Sequence, residues 1–144
     1  MQAKDDEFRG ALQSQTIYYR KSLVRHLLCS LEESFGHKEA VSVEHATIEH
    51  IMPQTLSSTW HQDLGEAAED THATLLHTLG NLTLSAYNIE LSNAPFATKR
   101  NGLAKSHFEL NRAVVAQMQW TAIEIKVRAI DLAKRAAQIW PVPA

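Results

Sequence analysis

Apolar residues recur at steps of three and four positions in two parts of the chain. After about Thr16 the recurring positions are Leu23, Val24, Leu27, Leu28, Leu31 and Phe35. After Trp120 they are Ile123, Val127, Ile130 and Ala137. This spacing puts apolar side chains on one face of a helix. The sequence therefore predicts two amphipathic helices that pack against the rest of the domain.

Local signals mark the ends of these helices. Gly36 follows the last apolar turn of the first helix, where glycine is common. Thr121 and Glu124 have the spacing of a capping box at the start of the second helix, and Pro141 ends it. The basic residues of the second helix are predicted to form a solvated face; they are Lys126, Arg128, Lys134 and Arg135.

Two short strands are predicted between the helices. Residues 41–51 have a loose pattern of β-branched side chains, and Pro53 removes a backbone donor soon after them, so we expect a strand that ends near His50. Residues 81–85, NLTLS, carry leucines at alternate positions and predict a second strand.

The segments after each strand carry different signals. Residues 54–79 are polar and acidic and predict a long connection, with Trp60 as an anchor and one short helix near residues 71–79. After the second strand, Pro95 suits the first turn of a helix capped by Ser92 or Asn93. This helix is predicted to carry Phe96, Lys99 and Arg100, and Gly102 is a candidate interruption.

Composition sets limits on the class of protein. The chain has 144 residues, of which 44% are hydrophobic and 21% charged, which is typical of one soluble domain with one core. Residues 1–15 are expected to be a linker or fragment edge, and residues 16–140 a single domain. Apolar runs are far shorter than the roughly 20 residues of a membrane span, and no signal peptide is recognisable, so a cytoplasmic location is expected.

Cysteine content and charge exclude two further kinds of site. The single cysteine, Cys29, excludes an internal disulfide and a four-cysteine zinc site. The net charge of -2 gives no general attraction to polyanions. Contact with nucleic acid would therefore need a local basic patch or a second domain.

The candidate chemistry lies in the middle of the chain. A strand ending in Glu49 and His50 precedes a second strand that opens with Asn81 and a helix that carries Lys99 and Arg100. This is the order of a ββα-metal site, in which a divalent cation contacts phosphate while a neutral imidazole takes a proton from water. The predicted fold is therefore α+β and mostly helical, with a ββα-metal core over about residues 41–102 and flanking helices at both ends.

These residues resemble a known family. The stretches IEHIMPQ and LGNLTLSAYNIELSNAPFATKR are similar to the C-terminal nuclease domain of GmrSD-type type IV restriction enzymes, an HNH or His-Me finger family of modification-dependent phage defence. The flanking stretches YYRKSLVRHLLCSLE and WTAIEIKVRAIDLAKRAAQIWP also look similar, so the resemblance covers nearly the whole chain.

The resemblance implies a role for each site residue. His50 would be the general base, and Asn81 would brace the loop that bears it. Glu49 and Asn88 would be metal ligands, with Asn93 as the alternative to Asn88. The residues that would face phosphate are Lys99 and Arg100.

The resemblance also implies partners and a cofactor. The substrate would be DNA, cut or nicked with Mg²⁺, or with Mn²⁺ as the alternative ion. Targeting would come from an N-terminal nucleotide-hydrolysing domain, in the same or a partner chain, that is absent from this fragment. No membrane partner is expected.

Alternatives stay open at this point. The scaffold could serve a non-catalytic module that binds DNA or protein. A zinc hydrolase built on His45, Glu49 and His50 is disfavoured, because neighbouring residues on a regular strand face opposite sides. For the same reason Glu49 and His50 can converge only if the strand bends or ends there. His77 is interpreted first as a histidine near a helix C-terminus and second as an outer support of the site.

Overall fold

The structure is a computed structural model that describes residues 2–36, 42–85 and 93–141. The described part is mostly helical with one small antiparallel sheet, an α+β arrangement. The helices are α1 (Gln2–Ser14), α2 (Lys21–Glu33), α3 (Ser58–Leu64), α4 (Ala68–Leu75), α5 (Phe96–Ala104), α6 (Arg112–Val115) and α7 (Ala122–Ile139). The strands are β1 (Thr47–His50) and β2 (Leu82–Ser85), and short 3-10 turns cover Gly65–Ala67, Leu79–Asn81 and Glu109–Asn111.

The two strands pair so that His50 lies opposite Leu82 and Thr47 lies opposite Ser85. The prediction that the first strand ends at His50 is confirmed. Its predicted start at residue 41 was too early, and Val41 itself lies outside the described residues. Residues 42–46 form a turn because the Arg25 guanidinium donates to the carbonyls of Val43, Glu44 and Ala46.

Among the described residues, the first of two hydrophobic cores lies between α2, the sheet and the C-terminal half of α7. Val24, Leu28 and Leu31 of α2 are fully buried in it, as the helical spacing predicts, while Leu23 is 51% exposed. Residues 2–14, within the segment expected to be a linker or fragment edge, form α1. Its Phe8 and Leu12 stand four residues apart on one face and pack against this core, so a regular helix occupies that segment.

The second core lies beneath the end of β1 and contains Met52, Trp60, Phe96 and Trp120. Trp60 is fully buried, as predicted for an anchor, and its indole nitrogen donates to the Ala94 carbonyl at 2.7 Å. The connection predicted for residues 54–79 contains two helices, α3 and α4; α4 overlaps the one short helix predicted near residues 71–79, whereas α3 was not predicted.

Helix α5 carries Phe96, Lys99 and Arg100, as predicted. It begins after Pro95 without a side-chain cap, so capping by Asn93 is wrong, and Ser92 lies outside the described residues. Gly102 does not interrupt the helix, which continues to Ala104.

Helix α7 confirms the predicted capping box, since the Thr121 amide donates to Glu124 Oε1 at 2.7 Å. The predicted buried stripe was wrong: Ile123, Val127 and Ile130 are 68%, 53% and 50% exposed. The buried face instead includes Ile125, Arg128, Ala129, Leu132 and Ala133.

Helix α7 buries this face because it lies very close to the turn that precedes β2. A Cβ on Gly80 would lie 2.1 Å from the Ile125 carbonyl oxygen. Arg128, predicted to be solvated, is 5% exposed and donates to the carbonyls of Gly80 and Leu82 at 3.0 and 2.7 Å. Helix α7 thus fixes the segment that carries Asn81. Within the described ranges, none of the helices has the length and apolar character needed to cross a bilayer.

Candidate functional site

A cavity of about 400 Å³ opens at the end of β1. The chain leaves the sheet after His50, so Glu49 and His50 both border this cavity although they are neighbours in sequence. Both residues pair with β2, Glu49 opposite Thr83 and His50 opposite Leu82, and the strand ends at His50. The complete lining is Tyr18, Ile48, Glu49, His50, Gln54, Thr55 and Asn93.

Asn81 fixes the backbone that follows His50. Its side chain is fully buried, and its amide oxygen accepts from the Met52 amide at 2.7 Å while its amide nitrogen donates to the Met52 carbonyl at 2.9 Å. The Asn81 carbonyl also accepts from the Ile51 amide at 2.9 Å. These contacts lock residues 51 and 52 to the start of β2, which is the geometry that a brace requires.

Two further contacts hold the Asn81 side chain itself. Its nitrogen donates to the Leu76 carbonyl at 3.0 Å, and its oxygen accepts from the Trp120 indole at 3.1 Å. All four hydrogen-bonding positions of the amide are thus used. The site's backbone is thereby linked to the end of α4 and to Trp120, two residues before α7.

Lys99 of α5 lies next to Glu49 and His50. Its side chain is 1% exposed, and its ammonium donates to Glu49 Oε1 at 3.0 Å and to the His50 carbonyl at 2.7 Å. Burial lowers the pKa of Lys99, while the Glu49 carboxylate acts in the opposite direction. The ammonium therefore orients the Glu49 carboxylate and joins α5 to the end of β1.

His50 is held in its neutral form. The residue is 6% exposed, and burial, followed by the nearby His77 and Lys99, lowers its pKa to about 4. A histidine with this pKa is unprotonated at neutral pH and can accept a proton.

One nitrogen of His50 contacts a second histidine. The distance from His50 Nε2 to His77 Nδ1 is 3.0 Å, and His77 Nε2 lies 3.2 Å from the Tyr19 hydroxyl. The Tyr18 ring contacts both histidines, in a T-shaped arrangement with His50 and stacked on His77. His77 thus supports the site, and its interpretation as a plain helix-end residue missed this contact. The available signal was its position four residues before Asn81.

The remaining predicted residues are placed differently. Asn93 borders the cavity, whereas Asn88 lies outside the described residues. The Arg100 guanidinium donates to the Gln117 carbonyl at 3.0 Å and contacts the Met118 sulfur at 3.3 Å. It therefore faces the turn after α6.

The donors around the cavity suit a hard cation. Glu49 supplies a carboxylate and Asn93, Gln54 and Thr55 supply neutral oxygens, the donor types that Mg²⁺ prefers. Over residues 2–36, 42–85 and 93–141, no group of three or more histidine, cysteine or acidic side chains is arranged to hold a metal. The three residues of the alternative zinc site, His45, Glu49 and His50, all lie in these ranges.

The chain is similar to a known protein family. The family model for the C-terminal domain of the GmrSD restriction endonucleases matches residues 2–135, nearly the whole chain. No curated protein gives a significant match.

Proposed function

We propose that this chain, which belongs to the family of GmrSD restriction endonuclease C-terminal domains, is an HNH-type endonuclease that hydrolyses DNA phosphodiester bonds with a divalent cation. The observation that carries the proposal is the shared cavity of Glu49 and His50. It combines a neutral imidazole, a carboxylate and a fixed backbone, and the succession of β1, β2 and α5 along the chain supports the assignment to the ββα-metal class.

His50 is assigned the role of general base. Its imidazole takes a proton from a water molecule as the water oxygen attacks phosphorus and the bond to the leaving oxygen breaks. Asn81 fixes the backbone of residues 51 and 52, which directly follow His50. This rigid backbone keeps the imidazole in one orientation. The pKa of about 4 keeps it unprotonated at neutral pH.

Glu49 is assigned as one metal ligand, and Asn93 or Asn88 is assigned as the second ligand from the protein. A bound divalent cation, Mg²⁺ foremost and Mn²⁺ next, would supply positive charge for the phosphate and the leaving oxygen. Glu49 Oε1 contacts Lys99, so the second carboxylate oxygen is the one assigned to the cation.

Lys99 is assigned to hold Glu49 in place. Direct contact with phosphate, as the sequence predicts, would require the ammonium to leave both Glu49 Oε1 and the His50 carbonyl. At its observed position it still adds positive charge beside the cavity and favours a phosphate there. Arg100 is the second proposed phosphate contact; its half-buried guanidinium donates to the Gln117 carbonyl and would likewise have to leave that carbonyl to reach phosphate.

The biological role proposed is the cutting part of a phage-defence restriction system. The net charge of -2 gives the domain little general attraction to DNA. Selection of the target is therefore assigned to a further domain or partner chain that hydrolyses a nucleotide.

The test is a plasmid-cutting assay with Mg²⁺ and with Mn²⁺. His50→Ala should abolish cutting, while His61→Ala, a change at an exposed histidine of α3, should leave it unchanged. Equal cutting by His50→Ala and the wild type would refute the role of His50. If the wild type binds DNA with no cutting in either ion, the non-catalytic alternative is favoured.

A further inference from the structure

We propose that His77 is a positioning residue that fixes the proton of the His50 imidazole on Nε2 and so leaves Nδ1 as the basic nitrogen. This inference rests on the proposed function, since it assigns the atom of His50 that receives the proton.

The geometry of the contact carries the inference. His50 Nε2 and His77 Nδ1 are 3.0 Å apart, a hydrogen-bond distance between two ring nitrogens of which one must donate. His77 Nε2 is in turn 3.2 Å from the Tyr19 hydroxyl. A neutral imidazole carries one N–H proton. The tautomer of His77 therefore decides whether its Nδ1 donates to His50 or accepts from it, and whether its Nε2 accepts from Tyr19 or donates to it.

Only one direction serves a base at His50. If His77 donates from Nδ1, the single proton of neutral His50 lies on Nδ1 and its Nε2 is occupied, so neither nitrogen can take a proton from water. If His77 Nε2 donates to the Tyr19 oxygen, its Nδ1 accepts from His50 Nε2, and His50 Nδ1 keeps a lone pair. The hydroxyl of Tyr19 can accept this bond, and its 72% exposure lets its own proton go to solvent.

The surroundings hold His77 for this task. The Tyr18 ring is stacked on it with 5.0 Å between centroids and 9° between planes. The backbone amides of Ile17 and Tyr18 both donate to the His77 carbonyl, at 3.0 and 3.3 Å. The segment between α1 and α2 thus fixes the backbone and the ring plane of His77, and with them its two nitrogens.

Two substitutions separate the two nitrogens of His77. In His77→Asn the side-chain amide lies near the position of Nδ1, so an acceptor for His50 is kept. In His77→Gln the amide lies near the position of Nε2, so the Tyr19 contact is kept and the His50 contact is lost. We expect His77→Asn to stay close to the wild-type kcat and His77→Gln to lose at least about tenfold in kcat with KM unchanged.

Equal kcat values for the two variants, whether high or low, would overturn the inference, because a packing role does not distinguish the two nitrogens. The second readout is a long-range proton–nitrogen correlation spectrum of the imidazole rings, which reports the tautomer without any cutting. It should show His50 protonated at Nε2 and bare at Nδ1 in the wild type and in His77→Asn. A proton on Nδ1 of the wild type would refute the role of His77 even if the domain cuts DNA. If the domain does not cut, the spectrum decides the tautomer alone.

Discussion

Replacing Asn81 with alanine removes the side chain that joins the His50 loop to the rest of the domain. In the wild type its amide makes four hydrogen bonds, two with Met52, one with the Leu76 carbonyl and one with the Trp120 indole, over distances of 2.7 to 3.1 Å. Because Asn81 is fully buried, Asn81→Ala would leave these four partner groups without the amide that forms hydrogen bonds with them.

The cost follows from the buried donors and acceptors. An unsatisfied buried polar group costs about 1–3 kcal/mol, and a water molecule in the vacated space can satisfy some of the four. We therefore expect Asn81→Ala to lower the free energy of unfolding by about 3–6 kcal/mol. A domain of this size has about 5–15 kcal/mol in total, so the variant should fold at low temperature and unfold well before the wild type.

A second buried asparagine provides the control. Asn111 is also fully buried, and its amide makes hydrogen bonds to Thr83, Leu84 and Ser106 at 2.5, 3.0 and 2.9 Å, away from His50. Asn111→Ala should lose a comparable free energy of unfolding. Urea titration would measure the loss, and plasmid cutting would be compared at a temperature where both variants are folded.

The two variants should then differ in activity. Only Asn81→Ala should cut slowly, because only Asn81 fixes residues 51 and 52. A loss of less than about 1 kcal/mol in Asn81→Ala would refute the hydrogen-bond reasoning. An equal loss of cutting in folded Asn111→Ala would refute the specific bracing of His50.

Three other expectations follow from the same structure. Lys99→Met keeps the buried volume but leaves the Glu49 carboxylate and the His50 carbonyl without their ammonium donor, so cutting should fall and the free energy of unfolding, measured by urea titration, should drop by about 1–3 kcal/mol; unchanged stability would contradict this. Gly80→Ala places a Cβ 2.1 Å from the Ile125 carbonyl oxygen and should lower the melting temperature, at a cost of about 1–3 kcal/mol or more, whereas Gly10→Ala, on an exposed part of α1 with nothing within 4 Å of the new Cβ, should raise it. The pKa of His50 is about 4 in the folded state, whereas its ordinary value is 6.5. Because the unfolded state binds more protons between these two pH values, the free energy of unfolding should fall by up to about 3 kcal/mol as pH drops through this window. His50→Gln should remove this part of the pH dependence of stability, and an unchanged pH dependence would contradict the reasoning.

Features that depend on a few neighbouring residues were predictable from the sequence. The capping box of Thr121 and Glu124 is one, since its two partners are three positions apart. The end of β1 at His50 is another, because the approaching Pro53 limits the strand. The resemblance to the GmrSD C-terminal domain also depends on linear motifs, and the family model confirms it.

Features that depend on distant partners were not predictable from periodicity. The buried face of α7 is set by its contact with Gly80. Ala129 packs against Gly80, and the Arg128 guanidinium donates to the Gly80 carbonyl. This contact leaves Ile123 exposed. The apolar stripe read from the sequence carried no information on that partner. Helical periodicity indicates that a face exists, but the surface that α7 meets decides which face is buried.

The site shows the same division between local and distant information. Glu49, His50 and Asn81 stand out as polar residues next to short strands. The burial of Lys99 does not, because its partner Glu49 is fifty positions earlier in the chain. An exposed lysine and a buried lysine look alike in sequence, and only the fold brings the ammonium to the carboxylate.

The most direct test of a catalytic His50 is chemical rescue. His50→Ala removes the imidazole and leaves a space beside Glu49 that free imidazole can enter. With a divalent cation present, cutting by His50→Ala should be absent without imidazole and should rise with imidazole concentration, while cutting by the wild type should not change. Wild-type rates of cutting by His50→Ala without imidazole would contradict the assignment of this cavity as the catalytic centre.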